Sequence, residues 1–80
     1  MDVSYDRTAD AAYIGFTSGA AVRQVQLDDG RVLDYAADGT LVGVEILSPS
    51  RGVDLTGIPR SSDVADALHR LGFEVRSPAP

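Results

Sequence analysis

Two Asp-Gly dipeptides, Asp29-Gly30 and Asp38-Gly39, constrain this chain more than any other feature. A two-residue hairpin turn of type I′ needs positive φ at both central positions, which Asp-Gly supplies at little cost. Residues 21–28 (AVRQVQLD), 31–36 (RVLDYA) and 40–47 (TLVGVEIL) therefore read as three strands joined by tight turns. Upstream, residues 11–17 (AAYIGFT) set Ala12, Ile14 and Phe16 against Ala11, Tyr13 and Gly15, the period-two pattern of a half-buried strand. Val3 to Tyr5 makes a short first strand before the polar turn DRTAD. The expectation is an α+β fold: a five-stranded antiparallel β-meander with one C-terminal helix packed on one face.

The helix is legible at both ends. Ser61 or Ser62 is placed to cap it, and Asp63 falls in its first turn. Val64, Leu68 and Leu71, with Ala67 beside them, form one apolar stripe. Gly72 supplies a left-handed end, and Phe73 stands where a Schellman ending packs back on Leu68. The chain is expected to be a single domain, with strands within residues 2–48, a linker over 49–60, a helix over about 62–71 and a flexible tail over 74–80.

Eighty residues without cysteine form a small core with no disulfide to hold it. A chain of this size hides only about 60–65% of its unfolded surface, which makes oligomerisation a natural support. Seven arginines against twelve carboxylates give a net charge of −5. That sign opposes direct binding to a phosphate backbone and favours a basic partner. No basic start followed by an apolar run is visible, and no stretch nears the ~20 apolar residues that span a bilayer. A soluble, cytoplasmic protein is expected.

Register decides which side chains share a face. With Asp38-Gly39 as a two-residue turn, Ala37 pairs with Thr40, Tyr35 with Val42, Leu33 with Val44 and Val32 with Glu45. Tyr35, Leu33, Val42, Val44 and Ile46 then share an apolar face, which the helix is expected to cover. A three-residue turn pairing Ala36 with Thr40 ranks second, because it sets Asp34 against Val42 and scatters the apolar set. In the preferred register the opposite face carries Asp34, Leu41, Glu45 and Leu47, and the Asp29-Gly30 turn adds Arg23, Val25 and Leu27 to it. Asp34 and Glu45 become diagonal neighbours within reach of a shared cation, with Arg23 the nearest internal one. The plainer reading of Glu45 is a strand carboxylate facing water.

Catalytic chemistry finds little support. The serines at 48, 50, 61 and 62 lie where serine serves turns and caps, and His69 sits in the last helical turn as a surface residue. Asp6, Asp10 and Asp38 occupy turn positions. DDGRVLDYAADG lacks calcium-loop spacing, and GVDLTG lacks the Lys-Ser/Thr of a phosphate cradle. No catalytic residue, cofactor or metal site is assigned.

Two stretches, YDRTADAAYIGF (5–16) and LDYAADGTLVGVEILSPS (33–50), resemble a bacterial family known as domain of unknown function 2283. Tyr5, Asp6, Ala9, Asp10, Tyr13 and Ile14 match one block of its pattern. Asp38, Gly39 and Leu41 to Leu47 match the other. The resemblance covers about the first fifty residues and brings no catalytic assignment. Members are often encoded beside small RNA-cleaving toxins of RelE-like fold, so it implies an antitoxin or immunity partner. A basic toxin would suit the acidic charge.

Three functions are set against one another. The leading one is a small non-catalytic protein-interaction module, antitoxin-like, covering a basic partner with Arg23, Val25, Asp34, Leu41, Glu45 and Leu47. The second is a homodimeric structural module joined through the same face. The third is a small metal binder or enzyme using Asp34 and Glu45.

Overall fold

The computed structural model describes residues 1–76. Five strands, β1 (Asp2–Asp6), β2 (Ala11–Gly15), β3 (Arg23–Asp28), β4 (Arg31–Tyr35) and β5 (Leu41–Leu47), form one antiparallel sheet. After it come a 3-10 turn at Pro49–Arg51, a short strand β6 (Val53–Asp54), the helix α1 (Ser61–Arg70) and β7 (Val75–Arg76). The antiparallel sheet with one C-terminal helix is the expected α+β architecture.

Strand order departs from a simple meander. It is β1-β2-β5-β4-β3, so β2 neighbours β5 and β3 lies on the far edge. Polarity explains the placement. In β3, Arg23, Gln24, Gln26 and Asp28 suit an edge, where unpaired backbone must stay wet. The more apolar β5 takes the centre, with Val44 and Ile46 almost fully buried. Residues 16–22 bridge the gap: Phe16 N–H donates to the Val42 carbonyl (2.7 Å) and Val22 N–H to that of Tyr35 (2.8 Å).

Both turns keep their Asp-Gly positions, and each is flanked by a one-residue irregularity. Neither is the expected type I′ turn, since of Asp29, Gly30, Asp38 and Gly39 only Gly39 has positive φ. At the β4–β5 tip the three-residue turn forms: Ala36 N–H donates to Thr40 O (2.8 Å), with Gly39 at φ 86°. Tyr35 accordingly faces Leu41, not Val42. Val42 is then bulged, and the pairing returns to Asp34–Gly43, Leu33–Val44 and Val32–Glu45, the register expected from burial. The β3–β4 turn is the two-residue form, with Asp28 opposite Arg31, but Leu27 is bulged before Gln26 meets Val32. That extra residue reverses the faces of the remaining strand. Arg23 pairs with Tyr35 and Val25 with Leu33, while Gln24 pairs with Asp34.

One core joins the sheet and its cover. Ala12, Ile14, Leu33, Val44 and Ile46 pack with Val64, Ala67 and Leu68 of α1. Val53, Leu55 and Ile58 complete the same cluster, so the linker also covers the sheet. The helix end is as expected: Phe73 N–H donates to Leu68 O (2.9 Å) and Gly72 N–H to His69 O (3.0 Å), the paired bonds of a Schellman motif. Its start is not. Neither serine caps it; Arg60, left-handed at φ 53°, is the N-cap residue, its carbonyl receiving Val64 N–H. The Arg60 guanidinium lies over the Phe16 ring (4.0 Å) and bonds Asp63, which holds that backbone in place. Residues 75–76 also differ from expectation. They pair in parallel with Val53–Asp54, leaving only 77–80 of the proposed flexible tail outside the described residues. No described helix is long and apolar enough to cross a membrane.

Candidate functional site

The sheet face turned away from α1 carries the site. Cross-strand pairing places Tyr13 opposite Glu45, Val32 opposite Glu45 on its other side, and Asp34 opposite Gly43. Asp34 and Glu45 are therefore diagonal neighbours, as the burial-based register implied. From edge strand β3, the Gln24 side-chain amide donates to Asp34 Oδ1 (2.9 Å) and to Glu45 Oε2 (3.0 Å). One amide thus ties three adjacent strands through two carboxyl groups.

The environment of the pair is half dry. Asp34 is only 5% exposed although it faces away from the core. The Tyr13 ring lies over Gly43 and helps to roof the space beside it. Glu45 is pushed above the ordinary carboxylate range, first by desolvation, then by hydrogen bonding and repulsion from Asp34, with the Gln24 amide opposing the rise. Tyr13 is raised too, by desolvation and by the charges of Asp34 and Glu45. Among the described residues no arginine lies within ion-pair distance of either carboxylate; the ion pairs are Arg31–Asp28 and Arg60–Asp63. A shallow cleft of about 310 Å³ opens beside the pair, lined by Ser4, Asp6, Ala11, Tyr13, Glu45 and Leu47.

Of the six residues expected on this face, Asp34, Glu45 and Leu47 are there, Leu47 being 47% exposed. Arg23 and Val25 are not. The Leu27 bulge turns them to the helix side, where Val25 packs against the core and the Arg23 guanidinium lies 4.7 Å from the centre of the Tyr35 ring. Arg23 is consequently no counter-ion for the carboxyl pair. Leu41 also packs against the core, since the Val42 bulge reverses it relative to Gly43 and Glu45. Tyr13 and Gln24 belong to the site and were missed by sequence reasoning. A glycine at the centre of an otherwise apolar strand was the available cue to a bulky neighbour such as Tyr13.

A second cluster is built on the β1–β2 turn. Asp10, left-handed at φ 50°, accepts from Tyr5 Oη (2.8 Å) and from Ser50 Oγ, while its carbonyl receives Ser48 N–H (2.7 Å). These bonds hold the Asp10 carboxyl below its ordinary range, Ser50 contributing most and Tyr5 next. Asp6 Oδ1 accepts from the Thr8 and Ala9 amides and shapes the turn. The arrangement fastens the first hairpin to the segment leaving β5. The Ser50 hydroxyl donates a hydrogen bond to a carboxylate, with no imidazole beside it among the described residues.

Residues 2–50 match the model of the family described as "Protein of unknown function (DUF2283)". The chain belongs to this family. The match ends just beyond β5 and so spans the whole DUF2283 sheet, including Tyr13, Gln24, Asp34, Gly43 and Glu45, while leaving α1 outside. No curated protein and no solved structure matches the chain. Among the described residues, no three His, Cys, Asp or Glu side chains gather as a metal site.

Proposed function

We propose that this DUF2283 protein is a small non-catalytic protein-interaction module that docks a basic partner on the open face of its sheet. The observation that carries the reading is the Asp34–Glu45 pair, set in a half-dry surface with no cation among the described residues to balance it. A charge left uncompensated in such a place disfavours the folded chain unless something outside supplies the counter-charge. The net charge of −5 attracts a basic surface over longer range. Leu47, Ala11 and the Tyr13 ring offer apolar ground around the charges.

A homodimer through this face is the weaker reading. Two-fold packing would bring two such carboxyl pairs, on two chains of net charge −5, toward each other. An antitoxin-like role, with a basic RNA-cleaving toxin as the covered partner, is the specific form of the docking proposal. Co-expression with the product of the neighbouring gene, followed by pull-down and rescue from toxicity, tests it. Capture and rescue that both weaken in Asp34→Asn are expected; neither capture nor rescue in the unaltered protein removes the antitoxin form.

A further inference from the structure

Gln24, Asp34 and Glu45 come from three neighbouring strands, β3, β4 and β5, and meet through one amide nitrogen. An amide can donate one hydrogen to each carboxyl group, but it brings no charge. The groups facing Glu45 are Asp34 from β4, Tyr13 from β2 and Gln24 from β3, with Asp6 of β1 on the rim of the cleft. All that can ionise there are acids. Among the described residues none brings a cation to the pair, which leaves a proton to lie between the two carboxyl groups, and Glu45, the more open of the two, is the one better placed to exchange it with water.

We propose that Asp34 and Glu45 form a protonation switch on the docking face. With its proton, Glu45 donates to Asp34 and the face presents one negative charge. Without it the face presents two, and a basic side chain from the partner takes the proton's place. Docking then releases a proton to water, so the basic partner binds more tightly as pH rises through the Glu45 midpoint. The use of the switch rests on the docking reading; its existence does not.

The test begins with the free protein. Carbon-13 NMR of the Glu45 carboxyl across acid pH is expected to give a midpoint above the ordinary glutamate range. Asp34→Asn should bring that midpoint down, and Gln24→Ala, a change at an exposed edge position, should move it further up. A midpoint in the ordinary range, or one that neither substitution moves, overturns the switch. The second arm adds N-acetyl-arginine amide on either side of the midpoint and follows the amide signals of Tyr13 and Glu45. Larger perturbation above the midpoint supports the exchange of proton for cation, and equal perturbation on both sides overturns it. No perturbation at either pH, with the titration as expected, overturns the docking reading and leaves the proton-sharing pair standing.

Discussion

The Tyr13 ring lies across the backbone of Gly43, so that a Cβ at position 43 would fall 2.5 Å from the ring Cζ and 2.9 Å from the Ile14 carbonyl oxygen. The first contact is with a side chain, which can swing away. The second is with the backbone of a paired strand, which cannot. Glycine at 43 thus leaves room for the Tyr13 ring to lie over the neighbouring strand, an aromatic side chain covering the gap that a strand glycine leaves.

Replacing that glycine has a defined cost. Gly43→Ala is expected to lower stability by about 1–3 kcal/mol, the usual range for overpacking. Tyr13→Ala in the same background should recover only part of the loss, because the Ile14 carbonyl stays in place. Urea denaturation of the single and double variants measures both.

Removing the charge at 45 should stabilise the isolated protein. The folded state raises Glu45, so it binds a proton more readily than the unfolded chain, and stability falls as pH rises from the ordinary glutamate value through the folded one. Glu45→Gln carries no such loss and can still donate to Asp34. It is expected to melt higher than the unaltered chain at neutral pH, with the two curves converging in acid. Thermal melts across that range check the sign.

Asp10 titrates in the opposite sense. Its folded value is lowered, chiefly by Ser50 and then Tyr5, so its contribution is present above the ordinary aspartate range and disappears as pH falls through the folded value. Asp10→Asn should melt lower than the parent at neutral pH and approach it in acid. Asp10→Ala should melt lower still, since alanine tolerates the left-handed backbone less well.

The C-terminal strand should be visible in exchange. Val53 N–H donates to the Glu74 carbonyl (3.0 Å) and Leu55 N–H to that of Arg76 (3.4 Å), while the Phe73 ring packs edge-on against Tyr5, with centres 4.8 Å apart. Truncation after Gly72 is expected to abolish amide protection at Val53 and Leu55 and to loosen Tyr5. Hydrogen exchange followed by NMR reads all three positions.

Much of this fold was legible from short patterns. Asp-Gly marked the β3–β4 and β4–β5 hairpins, though not their turn types, the apolar set of Leu33, Val44 and Ile46 identified the buried face, and Gly72-Phe73 marked the helix end. The misplaced residues of the open face share one cause. A bulge adds a single residue and leaves no trace in composition, yet it exchanges the faces of every side chain beyond it. Leu27 did so to Arg23 and Val25, and Val42 to Leu41. The contact of Tyr13 with Gly43 and Glu45 was hidden for another reason. It depends on β2 lying beside β5, which only the polarity of β3 hinted at. The β6–β7 pair involves two residues on each side, too few to show any periodicity.

The β2–β5 neighbour relation also sets an order of events during synthesis. The hairpin of β1 and β2 emerges first but cannot gain its second neighbour until Leu41–Leu47 has left the ribosome. Even then Ile14, Val44 and Ile46 lie bare, because Val53, Leu55, Ile58 and the α1 stripe are made after them. A nascent chain halted near Ser50 would hold all five main strands and still display its greasiest side to the cell, a point at which a chaperone would find it most readily.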